Sequence, residues 1–492
     1  MLHTSRSTPF LLLLVLAPVL LACSDSSPNA GTNGSPSEPA AATDVPRAQV
    51  RLEAPRSTTP DAPAQAAPRV PTASDPKVSE DLEKGGDVMV RRGDLVGAVA
   101  RYARSVSETR KLHVAHPEDS SLLALLVRRL NKAAYSCRLA NRTEEAIVLY
   151  REHVKFAQTL SGRGADRVAA ATDALRSLQI LGDLLLQAGR AEAALSSFHA
   201  ALERMERAEP SVKLTPDHRR NLSVALGRIG FALQKLKRFD EGRTQLQRSV
   251  KLAAELAAAP QNTRDPSSAI EYAGALTGLA ALEMAAGAKD AARGHLEGAL
   301  NVHRQLVSAP SGTAPELRHG LSVAAARLAR VELEREKIDS ARRLAQESLR
   351  ALEQVIPMAS NEAGALREKV ARLELLSDVE LAAKSWDAAA KHRVEALAVL
   401  EGLVEQSGGA ALLWMQCARV HVALKALHDQ AVASPDVDDA ARKEHENQAQ
   451  FHRDRALQAA RQAADRDGAL SAWAAQLASE LAGSQGRATI GD

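Results

Sequence analysis

The stretch "ILGDLLLQAGRAEAALSSFHAAL", residues 180–202, decides the fold. It holds no paired acids, no cluster of metal ligands and no activated nucleophile, only small residues among leucines. Leu175, Leu178, Leu181 and Leu185 form one apolar stripe at the three-to-four spacing of an amphipathic helix, and Ala194, Phe198, Ala201 and Met205 form a second. Gly189-Arg190 between them reads as a tight turn. The segment is therefore a helical hairpin, with Gly182 and Ala194 placed where two backbones cross closely and a larger side chain would force them apart.

The hairpin recurs. With Ala194 as reference, similar turns put Ala98, Ala146, Gly242, Ala292, Ala341 and Ala389 in its place, at spacings of 48, 48, 48, 50, 49 and 48 residues. A fixed period of this size marks a repeat array. The composition agrees: 45% hydrophobic and 25% charged residues can build a core, while only 3% are aromatic, and a core of Ala and Leu favours close-packed helices over strands. Lys plus Arg number 63 against 60 Asp plus Glu, a balance that gives no reason to expect nucleic acid as a partner.

Leu181, Gly182, Leu185, Gly189, Ala194, Phe198 and Ala201 match, in order, the pattern of the tetratricopeptide repeat. Gly86, Gly93, Ala98, Tyr102 and Ser105 do so in the first unit, Gly230, Leu233, Gly242, Leu246 and Ser249 in the fourth, and Leu279, Ala280, Gly287, Ala292, Leu296 and Ala299 in the fifth. Residues 79–406 thus resemble that family over seven units. The sixth and seventh depart from it, with Glu332 at an apolar position and Arg393 at the aromatic one. The resemblance implies an all-α fold, an α-solenoid wound as a right-handed superhelix, in which the first helix of each unit lines a concave face that binds protein.

The family's period is ~34 residues, whereas this one is about 48, yet Gly182 to Ala201 keeps the usual separation of 19. The extra length therefore lies at the far ends of the helices and in the loops between units, which Pro117, Gly162, Gly164, Pro210, Pro260, Pro310, Pro357 and Gly408-Gly409 punctuate. Seven more residues per helix add ~10 Å at about 1.5 Å each, which predicts a deep groove. In residues 407–484, Ala411 to Val432 and Asp438 to Asp465 read as a degenerate eighth unit, and Ser471 to Leu481 as a capping helix that covers the last apolar face. Residues 485–492 are expected to be a disordered tail.

Residues 1–22 form a signal peptide in this reading: an early Arg6 precedes an apolar run from Phe10 to Ala22. That run is too short for a span, which needs about 20 residues. It ends in "LLAC", Leu20 to Cys23, which resembles the lipobox of bacterial lipoproteins. The resemblance implies lipidation of Cys23, an exported chain anchored to the cell envelope, and, with Ser24 next, the outer membrane facing the periplasm. From residue 23 to 78 a disordered tether is expected, since 10 of the chain's 21 prolines fall between Ser24 and Val78 and no hydrophobic period survives there. Its reach is roughly 40 Å.

No phosphate loop or nucleophile elbow is present in the sequence, and no catalytic residue is assigned. His113 and His116 lack a third ligand at a suitable spacing and read as a solvated helix end; "HENQAQFH", His445 to His452, lacks the four-residue spacing of a zinc-binding helix and reads as a surface helix. No metal or cofactor is expected. Cys137 and Cys417 lie many helices apart in sequence and read as buried small residues, not a disulfide. Trp386, Trp414 and Trp473 are too sparse for a sugar-stacking platform and read as core or cap packing.

What remains is the concave face that the family's geometry implies. By position it is lined by Arg128, Asn131, Tyr135 and Arg138 in unit two, Arg176, Gln179, Asp183 and Gln187 in unit three, and Phe231, Gln234 and Lys235 in unit four. The mix is polar and mildly basic, suited to an extended peptide or protein segment with acidic groups. The expected function is a membrane-anchored protein-interaction scaffold of the envelope and not an enzyme. The alternatives are a peptidoglycan or glycan recognition module and an enzyme whose site is assembled from dispersed residues.

Overall fold

The computed structural model describes residues 75–163, 167–207, 215–259, 266–309 and 314–483. The signal peptide, Cys23, the tether up to residue 74, residue 484 and the tail at 485–492 lie outside the described residues, as do the loop residues Gly164, Pro210, Pro260 and Pro310. Seventeen α-helices and no strand occur among the described residues, so the fold is all-α. The helices are α1 (Pro76–Arg91), α2 (Leu95–Ala115), α3 (Ser120–Leu139), α4 (Thr143–Ser161), α5 (Arg167–Gln187), α6 (Ala191–Glu206), α7 (Pro216–Lys235), α8 (Phe239–Ala258) and α9 (Ser267–Ala285). They continue with α10 (Lys289–Ser308), α11 (Pro315–Glu334), α12 (Ile338–Glu353), α13 (Glu362–Ala382), α14 (Trp386–Gln406), α15 (Ala411–Ala433), α16 (Asp439–Arg466) and α17 (Ser471–Gly483). The array opens at Pro76, capped by the Asp75 carboxylate on the Lys77 amide, three residues before the boundary expected at 79.

The chain divides into two compact units, one ending at Arg167 and the other beginning at Val168. The first holds the hairpins α1/α2 and α3/α4. The second stacks six hairpins, from α5/α6 to α15/α16, and ends on α17, which packs against α16. The eighth hairpin is thus complete, and α17 stands where the capping helix is expected.

The inner crossings are built as the small residues require. All seven reference positions are buried, and a Cβ placed on Gly86, Gly182 or Gly230 would overlap Tyr102, Phe198 or Leu246, each sixteen residues on in the partner helix. In α7/α8 the crossing closes further, with Gly242 set against the Gly230 carbonyl. Farther out, serines join the helices of some hairpins: the Ser105 hydroxyl donates to the Ser79 carbonyl at 2.6 Å, and the side chains of Ser223 and Ser249, and of Ser322 and Ser348, share hydrogen bonds of 3.0 and 3.1 Å.

Every one of the first seven turns uses a residue in the left-handed region, five positions before the reference: Gly93, Asn141, Gly189, Lys237, Gly287, Glu336 and Lys384, with φ between 56° and 81°. The next amide donates back to a carbonyl five residues earlier, as Arg190 to Leu185 at 2.8 Å and Lys337 to Glu332 at 2.8 Å, which satisfies an otherwise orphaned helix-end acceptor. Glycine does this freely; Lys237, Glu336 and Lys384 are held there at a cost of about 1 kcal/mol or more by the packing on either side.

Successive hairpins of the second unit are joined by a repeated ion pair. Arg243 on α8 reaches Glu283 on α9 at 2.7 Å, Arg293 on α10 reaches Glu332 on α11 at 2.6 Å, and Arg342 on α12 reaches Glu380 on α13 at 2.7 Å. Glu332, out of place in the apolar pattern, is therefore one rung of a ladder. Arg393, at the aromatic position, is satisfied likewise by the Ser377 hydroxyl at 2.8 Å and Asp378 at 3.0 Å.

Candidate partner-binding faces

In the first unit the expected residues lie along α3. Tyr135 is 44% exposed, and the Arg138 guanidinium lies 5.1 Å from its ring centre. Arg128 is exposed but engaged: it bonds Glu83 of α1 at 2.9 Å. That carboxylate is buried, and it also receives Arg129 at 2.9 Å and Lys132 at 2.9 Å. Burial opposes its charge, but the three cations outweigh burial and hold Glu83 down to about 2. Lys132 also meets Asp87, which accepts the Tyr102 hydroxyl. Asn131, next to Lys132 in the chain, is half-buried.

In the second unit the other candidates fall on α5 and α7. Arg176 and Gln187 are exposed, Gln179 and Asp183 half-buried. Arg228 of α7 crosses to Asp183 at 3.0 Å, and Gln234 donates to the Ala281 carbonyl of α9 at 3.3 Å, so successive first helices are tied edge to edge. Phe231 is half-buried with the Lys235 ammonium 5.3 Å from its ring centre. Tyr135 and Phe231 hold the same repeat position, eleven before the reference, each with a cation one turn on.

The same positions continue past the fourth unit. Arg330 of α11 and Asp378 of α13 occupy the position of Tyr135 and Phe231, and Glu374 lies one turn before Asp378. Both side chains are exposed, Asp378 by 52%, though the protein packed around their carboxyls still raises both above the ordinary carboxylate range. The repeat offset alone would have found them.

The expectation for "HENQAQFH" is corrected. His445 and His452 are 8% and 5% exposed, not at the surface, because α16 turns them onto α15, where His421 and His428 stand at the same seven-residue spacing. The Nδ1 atoms of His421 and His452 are 3.0 Å apart, as are those of His428 and His445. The signal was legible as two spacings of seven, which one helix read alone did not reveal. His113 rests edge-on against the Phe156 ring at 5.8 Å, and His116 is exposed. Among the described residues no three His, Cys, Asp or Glu side chains are grouped to hold a metal. Cys137 and Cys417 are buried free thiols; burial raises the Cys417 thiol to about 12. Trp414 and Trp473 pack against the core of the last hairpins.

No family model and no curated protein matches the chain. Among solved structures, it is similar to a tetratricopeptide repeat protein from Parabacteroides merdae, at 16% identity over 66% of this chain and 93% of that one, with a TM-score of 0.37. It is also similar to the nuclear import adaptor Nro1 of S. pombe, at 12% identity, 63% and 98% coverage and a TM-score of 0.40. A third is a signal-transduction ATPase with a tetratricopeptide repeat sensor from Pyrococcus horikoshii, at 11% identity, 77% and 53% coverage and a TM-score of 0.42.

Proposed function

We propose that the chain is a protein-interaction scaffold whose first helices bind an extended, partly acidic peptide or protein segment, and that lipidated Cys23 ties it to a bacterial envelope membrane. The observation that supports this most is the recurrence, on α3 and α7, of an accessible aromatic ring with a cation above it, Tyr135 with Arg138 and Phe231 with Lys235. Aromatic and guanidinium groups are the side chains that carry most binding energy at protein interfaces. Each ring sits on a helix packed within its own unit, which holds it with little ordering penalty. The face of the second unit carries carboxylates as well, since Asp183, Glu374 and Asp378 lie among the cations, so the segments that fit are of mixed charge, with acidic groups near Arg138 on the first unit or near Arg176 and Lys235 on the second.

The test places a photo-crosslinking residue at Tyr135 or Phe231 and, as control, at Val148, an exposed residue on the second helix of its hairpin. Adducts at the first two positions that survive glycosidase and vanish with protease treatment of the ligand pool support the reading. Equal adducts from Val148, or adducts lost only with glycosidase, overturn it. For the anchor, Cys23→Ser should move the chain out of the detergent-soluble membrane fraction; unchanged partitioning refutes it.

A further inference from the structure

The last hairpin differs from the others in what fills its seam. His421 and His428 on α15 meet His452 and His445 on α16 in antiparallel register, all four 4–8% exposed. At 3.0 Å each Nδ1 pair is at hydrogen-bond distance, which requires one ring to donate and the other to accept. The His428 and His452 rings are stacked with centres 5.7 Å apart, so the two pairs form one continuous ladder. We infer that this ladder is an acid-sensitive latch: on mild acidification its proton uptake loosens the α15/α16 hairpin, and α17 with it, while the preceding hairpins stay closed. The inference stands whatever the array binds.

Protonating both members of a pair sets two N–H donors against each other at hydrogen-bond distance, and a second charged pair would lie within a ring stack. The charged groups around the ladder do not relieve this. Arg455 on α16 opposes protonation of His421 and His452; Asp387 at the start of α14, Asp429 on α15 and Glu444 on α16 favour it at His428 alone, and none of them outweighs burial. Burial first, then neighbouring cationic groups, holds His421 and His452 down to about 4, and His428 is lowered as well. The ordinary value is 6.5. The opened hairpin therefore binds protons before the closed one does, and stability present above pH 6.5 is lost as pH falls from 6.5 toward 4.

Trp386, Trp414 and Trp473, the chain's three tryptophans, sit on α14, α15 and α17 and report on this end. In the full chain, with chelator present, tryptophan fluorescence should show a transition between pH 6.5 and 4. Hydrogen exchange over the same range should lose protection in residues 411–483 before residues 315–406. The variant with His421, His428, His445 and His452 all changed to Leu removes both partners of each bond and should hold its tryptophan signal to below pH 4. His303 on α10 is also held to about 4 by burial, and His303→Leu should leave the tryptophan transition in place. Should the four-leucine variant fail to fold, exposed Arg455→Glu decides: with the repulsion gone, the closed state accepts protons more readily and the transition moves to lower pH. A flat wild-type signal, a four-leucine variant that titrates like wild type, or an unmoved Arg455→Glu transition would overturn the inference.

Discussion

The seam between the first two hairpins and the seam within the last hairpin face one problem, polar side chains between packed helices, and answer it in opposite ways. Between α1 and α3 the buried Glu83 is met by three cations, so the charged forms are the stable ones. Between α15 and α16 four buried imidazoles pair only with one another, with no carboxylate in either pair to balance an added charge. A repeat array thus keeps its period while each seam has its own chemistry, and with it its own tolerance to pH.

The largest effect should come from breaking the charged seam. Glu83→Ala leaves Arg129, 2% exposed, without its carboxylate, and should destabilise the first unit by about 3–5 kcal/mol. Protection of residues 76–161 in hydrogen exchange measures it, and a loss under about 1 kcal/mol would show that Ser79 and Thr109, which also accept from Arg129, suffice. Next comes Arg243→Ala, which removes from buried Glu283 a partner that is itself partly solvated, so about 1–3 kcal/mol is expected in urea unfolding of the second unit.

The seams should also part in acid. Glu83 is held at about 2 against 4.5 ordinarily, so its contribution is complete above pH 4.5 and is lost only as pH falls toward 2. The histidine ladder should fail first, and protection lost at α1–α4 before α15–α17 on acidification would reverse the comparison. The smallest effect concerns the turns: Lys237→Gly, Glu336→Gly and Lys384→Gly should each stabilise by about 1 kcal/mol by relieving a left-handed side chain. No such gain is expected from glycine at Asp436, in the longer 434–438 connection of the last hairpin, where positive φ is absent.

Much of this architecture could be read from residues alone, because small side chains at a fixed interval leave little else to build. Gly182 and its equivalents specify the crossings, and "ASPDV" at residues 433–437 marked the last connection. The polar seams were less legible. Glu332 looked like decay of the pattern because its partner Arg293 lies 39 residues back, one hairpin away, and an ion pair at that range leaves no mark on a helical wheel. His445 and His452 looked solvated because imidazole suits either environment; only the facing His421 and His428 decide it. At the candidate face, position named Arg128, but Glu83 had already claimed it.

The rungs Arg243–Glu283, Arg293–Glu332 and Arg342–Glu380 carry a consequence for how such a chain changes length. Cutting out residues 284–332 would join Glu283 to Leu333, removing Arg293 and Glu332 together and leaving the rungs on either side whole, and duplicating them would add one more complete rung. Interchangeable ends of this kind let evolution add or drop whole modules without redesigning a neighbour, so related chains should differ in span by multiples of one module.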